Sequence, residues 1–280
     1  MPAPRRATVI GGVMLLVTAC APGQPATQIT SGTVAAPTIE PSTIQSSTSA
    51  PATTAPVTTE LVTTTTEPPM TCAPGSAVTT VPTGGLKLVA FSFDDGPSPT
   101  NTQAIMTEFE QRGVRATFFE IGPYVERYAD VSRDVVRRGF EIGNHTMTHQ
   151  YLEDPILSEI GPTADLIQRV TGVRPRLFRA PGLASSRLLQ DGLAKLGMCN
   201  ILASILTGDA SQVRPQADTI CQRFKDQLRP GGIVLAHDGG VAHESTVQAV
   251  PCMLDYALAQ GYQVLTISRL LARSTVNGFS

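Results

Sequence analysis

The chain has 280 residues, 41% hydrophobic and 16% charged, and its 21 lysines and arginines against 23 aspartates and glutamates leave a formal net charge of −2. So even a balance excludes a nucleic-acid binder driven by a basic face and a polybasic membrane-surface protein. The first 83 residues hold only five charges (Arg5, Arg6, Glu40, Glu60, Glu67), whereas all 14 aromatic residues and all four histidines lie in the last 197. The first part cannot bury enough apolar surface to offset its chain entropy, and the second is long enough for one domain.

Arg5 and Arg6 precede a mostly apolar run of 13 residues over 7–19, which is too short for a stable membrane span and reads as an export signal. The run ends in Val17-Thr18-Ala19-Cys20, which resembles the lipobox of bacterial lipoproteins. Residues 1–20 are therefore expected to be a signal peptide, with Cys20 lipidated and the protein held outside the cytoplasm on the cell membrane by that anchor alone. An ordinary secretory signal with an incidental cysteine is the alternative. Residues 21–83 are rich in Thr, Ser, Pro and Ala, contain no lysine or arginine, and show no helical or strand period. They are expected to form an extended tether to a folded domain over 84–280.

Within that domain, residues 86–93 form a buried strand closed by the turn Asp94-Asp95-Gly96-Pro97. A helix over 100–112 follows, with Ile105, Met106 and Phe109 on one face and Gly113 as its stop. The same grammar predicts strands over 116–121, 140–143, 176–180, 200–205, 233–237 and 263–267. It predicts helices over 125–138, 158–171, 185–196, 216–228 and 246–259. Strands alternating with helices imply an α/β fold with a parallel sheet, and about seven strands in this length suit a distorted or incomplete (β/α) barrel. Catalytic groups of such folds lie at the C-terminal strand ends, where this sequence places Asp94, Asp95, His145, Arg179, Asp209 and His237.

Apart from Cys20, four cysteines remain, Cys72, Cys199, Cys221 and Cys252, and they allow three pairings or four separate thiols. Cys221 and Cys252 fall on late helices that are neighbours in a barrel, which favours that pair together with Cys72–Cys199.

Two histidines at i and i+4, His145 and His149, fall on one side of a helical turn and could share a metal with a carboxylate from another strand end. Alone, this spacing is more often a pair of surface histidines; the Asp-Asp turn upstream reverses the balance. Asp94-Asp95-Gly96-Pro97 could be a simple turn, yet two adjacent carboxylates after a buried strand repel unless a cation or an arginine neutralises them. Arg179 alone reads as a salt-bridge donor. Asp209 could be the aspartate of a Gly-Asp turn, while His237 is delivered by the buried strand before it, and His243 reads as a loop histidine.

Five segments in this order resemble the motifs of the polysaccharide deacetylases with a NodB homology domain, carbohydrate esterase family 4. They are Ser92-Phe93-Asp94-Asp95-Gly96-Pro97, His145-Thr146-Met147-Thr148-His149, Arg179-Ala180-Pro181-Gly182, Asp209, and Leu235-Ala236-His237. The resemblance spans about residues 86–271. It implies that Asp95, His145 and His149 bind one divalent metal ion, Zn²⁺ before Co²⁺ or another, and that Asp94 is the general base, paired with Arg179. It also implies that His237 is the general acid tuned by Asp209, that the backbone NH at Gly182 helps hold the oxyanion, and that Leu235 lines the acetyl pocket. The sequence departs from the family at Gly182, where an aromatic residue is common, and around Asp209, where tryptophans are common; the chain has no Trp.

The implied substrate is an acetylated polysaccharide, and retention of an acid histidine favours amide over ester cleavage, because an amine leaves only when protonated. Anchor and tether rank peptidoglycan GlcNAc or MurNAc above chitooligosaccharide. An O-acetyl esterase acting on xylan, and a catalytically weak glycan-binding lipoprotein, are the other readings. A monomer is expected.

Overall fold

The computed structural model describes residues 72–150, 156–240 and 243–276. The expected signal peptide over 1–20, Cys20, and the tether up to residue 71 lie outside the described residues.

The strands are β1 (Ala77–Val78), β2 (Leu88–Gly96), β3 (Thr117–Glu120), β4 (Glu141–Asn144), β5 (Leu177–Phe178), β6 (Cys199–Ile201), β7 (Ile205–Leu206), β8 (Gly232–His237) and β9 (Gln263–Leu265). They form one sheet in the order β1-β6-β5-β4-β3-β2-β8-β7, with β9 also on β2, and every strand pair is parallel. Between them run α1 (Asn101–Gln111), α2 (Gly122–Arg127), α3 (Ala129–Arg137), α4 (Ile156–Thr171), α5 (Arg187–Leu196), α6 (Ala217–Gln227), α7 (Glu244–Ala259) and α8 (Ile267–Val276). The sheet curls into a half-open barrel, as the alternating pattern predicts.

Strand alternation decides what faces the inside of the curl. On β2, Val89, Phe91 and Phe93 pack outward with Phe109 of α1, Phe224 of α6 and Leu254 of α7. Leu88 and Ala90 pack inward with Phe119, Ile201, Ile233 and the α8 residues Ile267 and Leu270. Continuing the same parity, Asp94 faces inward at the end of β2, Arg179 follows Leu177 inward after β5, and Leu235 and His237 follow Ile233 inward on β8. This rim is thus an extension of the same two-residue period that builds the core.

Four details differ from the sequence expectation. The helix expected over 125–138 starts earlier, at Gly122-Pro123, and is broken at Tyr128 (φ −120°, ψ 44°) into α2 and α3. The strand expected over 200–205 is two strands on opposite flanks: β6 pairs β5 and β1, whereas β7 pairs β8. The three residues between them cross the gap and bring the two sheet edges together. Residues 72–83, placed with the tether by their composition, belong to the folded body: β1 pairs β6, Val81 N donates to Gly231 O, and Cys72 bonds to Cys199. Their hold is backbone pairing and a disulfide, to which composition is blind. Finally, α8 follows β9 and buries Leu270 and Leu271 in the inner cluster. The second disulfide joins Cys221 of α6 to Cys252 of α7, so the favoured pairing is the one observed.

Candidate metal and catalytic site

The first two ligand candidates depend on how their backbones leave regular structure. Asp95 takes a left-handed conformation (φ 73°) within the last residues of β2, where the pairing with β3 shifts register between Asp94 and Gly96, so its carboxylate lies at the rim beside Asp94. Gly239 makes room for this: a Cβ there would lie 1.7 Å from Asp95 O. His145 and His149 do not sit on a helical turn. They occupy a loop with positive φ at Thr146 (72°) and His149 (57°), and the i,i+4 spacing meets through that loop instead. Glu159 on α4 holds the loop by accepting from the backbone NH groups of Met147 (2.9 Å) and Thr148 (2.7 Å), and Asn144 Oδ1 accepts from Thr146 N. Neither anchor is visible from the histidine spacing.

Asp95 Oδ1 lies 3.0 Å from His149 Nε2 and 3.4 Å from His145 Nε2. His145 is buried, and its Nδ1 donates to Arg179 O at 2.7 Å, which leaves the Nε2 lone pair facing the carboxylate. Asp95 Oδ1 is itself buried and accepts no well-aligned hydrogen bond. A lone pair opposite a buried, unsatisfied carboxylate oxygen is unfavourable unless a cation sits between them, so this donor set fits a divalent metal. Among the described residues these three are the only His, Cys, Asp or Glu group with ligand atoms within 4.8 Å of one another. Burial would raise the Asp95 carboxyl, but the two histidines outweigh it and hold it well below the usual carboxylate range.

Asp94 is 3% exposed, and its Oδ1 accepts from Arg179 Nη1 at 2.7 Å, while Oδ2 is 3.8 Å from His145 Nε2. Arg179 is completely buried; Nε donates to Ile201 O (3.0 Å), Nη2 to Leu202 O (3.3 Å), and the guanidinium lies 4.2 Å from the Phe119 ring centroid. Gly143 permits that stack, because a Cβ there would meet the Phe119 ring at 2.4 Å. The last residue of β6 and the first of the β6–β7 crossing therefore supply the carbonyls that fix Arg179, and Arg179 fixes Asp94.

Across the rim, His237 Nδ1 lies 2.9 Å from Asp209 Oδ1, and its backbone NH donates to Asp209 Oδ2 at 2.7 Å. Thr207 and Thr246 also donate to the same carboxylate. Asp209 is thus a buried, fully partnered group and more than a turn residue. Burial would lower the His237 pKa, but Asp209 above all, with Asp94 and Asp95, raises it to about 9. Leu235 is half-buried two residues earlier on the strand, and Gly182 is exposed in a 3-10 turn after Arg179 at φ 64°, a conformation that glycine adopts without strain. The structure therefore brings Asp94, Asp95, His145, His149, Arg179, Asp209 and His237 to one rim, and places Gly182 and Leu235 on the segments that carry them there.

Two residues escape a reading by motif. His243 is buried at the start of α7, its ring stacked on His237 at 5.5 Å between centroids and 18° between planes. Asp238 is wholly buried under the Asp95-Gly96 turn: Thr102 donates to its Oδ2, and a Cβ on Gly96 would lie 2.6 Å from that oxygen. Burial raises the Asp238 carboxyl to about 7. Its position directly after a catalytic strand end was the available signal.

Comparison with known proteins matches this geometry. The family model described as polysaccharide deacetylase matches residues 82–201. The chain is 32% identical over 189 residues to a peptidoglycan-N-acetylglucosamine deacetylase of Bacillus cereus, covering 66% of this chain and 88% of the relative. It is 31% identical over 208 residues to a chitooligosaccharide deacetylase of Bradyrhizobium sp., covering 66% and 91%. With the peptidoglycan-N-acetylmuramic acid deacetylase PdaC of Bacillus subtilis it shares 29% over 188 residues, 66% of this chain but 38% of that longer protein. The crystal structure of the Bc1960 peptidoglycan N-acetylglucosamine deacetylase superposes with a TM-score of 0.66 at 25% identity, covering 70% of this chain and 92% of the other. With the fold, the ordered motifs and these relatives in agreement, the chain belongs to the polysaccharide deacetylase family.

Proposed function

We propose that the protein is a metal-dependent hydrolase that removes N-acetyl groups from cell-wall glycan, with peptidoglycan GlcNAc or MurNAc ahead of chitooligosaccharide. One observation carries the reading: a carboxylate–histidine–histidine cluster shares one rim with an arginine-held carboxylate, Asp94, and an aspartate-held imidazole, His237, register partners on neighbouring strands. That is a base and an acid beside a site for a Lewis acid, the groups an amide hydrolase needs.

Asp95, His145 and His149 would hold the ion, Zn²⁺ in this proposal, which would supply Lewis acidity toward the acetyl carbonyl and a water. Asp94, kept in place by Arg179, takes the proton of the attacking water. Gly182 offers its backbone NH to the developing oxyanion, and Leu235 packs against the acetyl methyl. His237, held protonated by Asp209, gives its proton to the departing amine. An alcohol leaves with less help, which is why an imidazole held by Asp209 supports amide over ester cleavage. Acetate release from peptidoglycan, chitooligosaccharide and acetylxylan, with and without chelator, tests the proposal; turnover that survives metal removal, or that is confined to acetylxylan, rejects it.

Asp209→Asn is expected to lower the His237 pKa, because it removes the negative charge that outweighs burial. The acid must be protonated to act, so activity is lost as pH rises through this pKa. The alkaline limb of the kcat/KM profile therefore moves to lower pH, and amide substrates suffer more than activated aryl acetates. An unmoved limb would mean that another group tunes His237.

The proposal places the enzyme outside the cytoplasm, tethered by residues 21–71 to a lipid on Cys20. Cys20→Ala is expected to release it from membranes, and mass spectrometry of the mature N-terminus should find the acylated cysteine. A mature chain that begins elsewhere, unmodified, contradicts the anchor.

A further inference from the structure

The φ of 73° at Asp95 is a conformation that residues with a Cβ seldom keep unless their surroundings impose it. What surrounds Asp95 comes from the end of β8. The backbone NH groups of Asp238 (3.1 Å) and Gly239 (3.4 Å) both donate to Asp94 O, and Gly239 packs so closely on Asp95 O that no Cβ fits between them. Asp238 follows His237, so strand parity turns its side chain outward, away from the rim and toward the first turn of α1. There its carboxylate fills the space over Gly96, where a Cβ would lie 2.6 and 2.8 Å from its two oxygens.

The same carboxylate is fastened to α1. Ser98 N donates to Thr102 Oγ1 at 2.7 Å, which leaves the threonine hydroxyl proton for Asp238 Oδ2, and Asn101 Nδ2 donates to Asp238 O at 3.1 Å. Residues 94–102 and 237–239 are thereby locked together on both sides of the turn that carries Asp95. Asp94 and Asp209 are buried beside Arg179 and His237, whereas Asp238, as deeply buried, has no ion pair among the described residues and is held by a hydroxyl. An apolar side chain would fill this place at less cost, so the acceptor oxygen is what the position uses.

We propose that Asp238 is a positioning residue for the metal: by accepting from Thr102 and filling the space over Gly96, it fixes the turn that aims the Asp95 carboxylate at His145 and His149. The inference rests on the metal-site reading and deepens it. Asp95 supplies the only carboxylate of the three-residue ligand set, and it comes from a different strand end than the two histidines. Its placement therefore depends on what holds the end of β2. A ligand set works only within about 0.5 Å of its productive geometry, so loosening this one turn is felt at the ion although Asp238 touches neither the ion nor substrate.

The test is the Zn²⁺ affinity of the metal-free protein, measured by competition with a chromophoric chelator and independent of turnover. Asp238→Ala and Thr102→Val are each expected to weaken binding by about tenfold or more. Both should also alter the visible absorption of the Co²⁺-loaded protein, which reports ligand geometry. Asp238→Asn keeps an oxygen for the Thr102 hydroxyl and is expected to stay within about threefold of the wild type. Ile267→Val, in the inner cluster with Leu88 and Ala90 at the start of β2, is the control for lost stability alone and should bind Zn²⁺ as the wild type does. Wild-type affinity in Asp238→Ala or Thr102→Val overturns the proposal. So does an Asp238→Asn variant as weak as Asp238→Ala, since the charge and not the hydrogen bond would then matter. Should Asp238→Ala fail to fold, Thr102→Val, which keeps the carboxylate and the shape of the threonine, decides alone. A wild-type protein that takes up no divalent ion rejects the metal reading and this proposal with it; uptake that is indifferent to the variants rejects the proposal alone.

Discussion

Asp94→Asn is expected to cut acetate release by about 10²–10⁴-fold, the usual contribution of a positioned general base, while leaving the metal content unchanged. The side chain keeps its shape, and the acceptor facing Arg179 Nη1 at 2.7 Å can be an amide oxygen. What is lost is the ability to take a proton. The metal should stay because Asp95, not Asp94, is the carboxylate closest to both histidine Nε2 atoms. His145→Ala and His149→Ala should behave differently, losing metal and turnover together, since two remaining ligands hold a divalent ion poorly. Elemental analysis of the three purified variants, paired with acetate assays, makes the comparison. Equal metal loss in all three would remove the distinction between the roles of Asp94 and Asp95.

Arg179→Met is expected to have the largest effect on stability. Arg179 is fully buried, makes three side-chain hydrogen bonds and covers the Phe119 ring, and its removal leaves the buried Asp94 carboxylate without its cation. Removing one partner of a buried pair costs about 3–5 kcal/mol. For a domain of this size each kcal/mol shifts Tm by about 2–4 °C, so a fall of roughly 6–20 °C is expected in thermal unfolding. The double variant Arg179→Met with Asp94→Asn should recover part of the loss, because a neutral amide tolerates burial better than an unpaired carboxylate. Additive losses would show that Arg179 acts through packing and its two backbone carbonyls, independently of Asp94. Arg179→Lys is expected to fall short of the wild type, since an ammonium cannot span Asp94 and the Ile201 and Leu202 carbonyls in one plane.

Two features of the site explain how much of it could be read in advance. Asp94, Arg179 and His237 end short apolar strands, and strand parity alone carries them inward; a period of two is a local property and therefore visible in the chain. The contacts of Asp209 were not local. Its neighbours Gly208 and Ala210 suggest a turn, and only the parallel pairing of β7 with β8 brings its carboxylate to His237. His243 was illegible for the same reason: it is an ordinary loop residue until α7 is packed against the rim.

The sequence by itself determined the class of fold, the alternation of the main strands and helices from residue 86 onward, and the set of acids, histidines and arginine at the strand ends. These follow from hydrophobic period, turn residues and spacing, all set within a dozen neighbouring residues. Tertiary structure alone decided that residues 72–83 join the domain, that the strand expected over 200–205 splits to bring the sheet edges together, and that the His145–His149 pair meets through a loop anchored by Glu159. Each of these rests on hydrogen bonds or a disulfide between segments distant in sequence. Such bonds leave no periodic trace in the chain, because a backbone NH or carbonyl is the same at almost every residue and its partner is chosen only when the sheet closes.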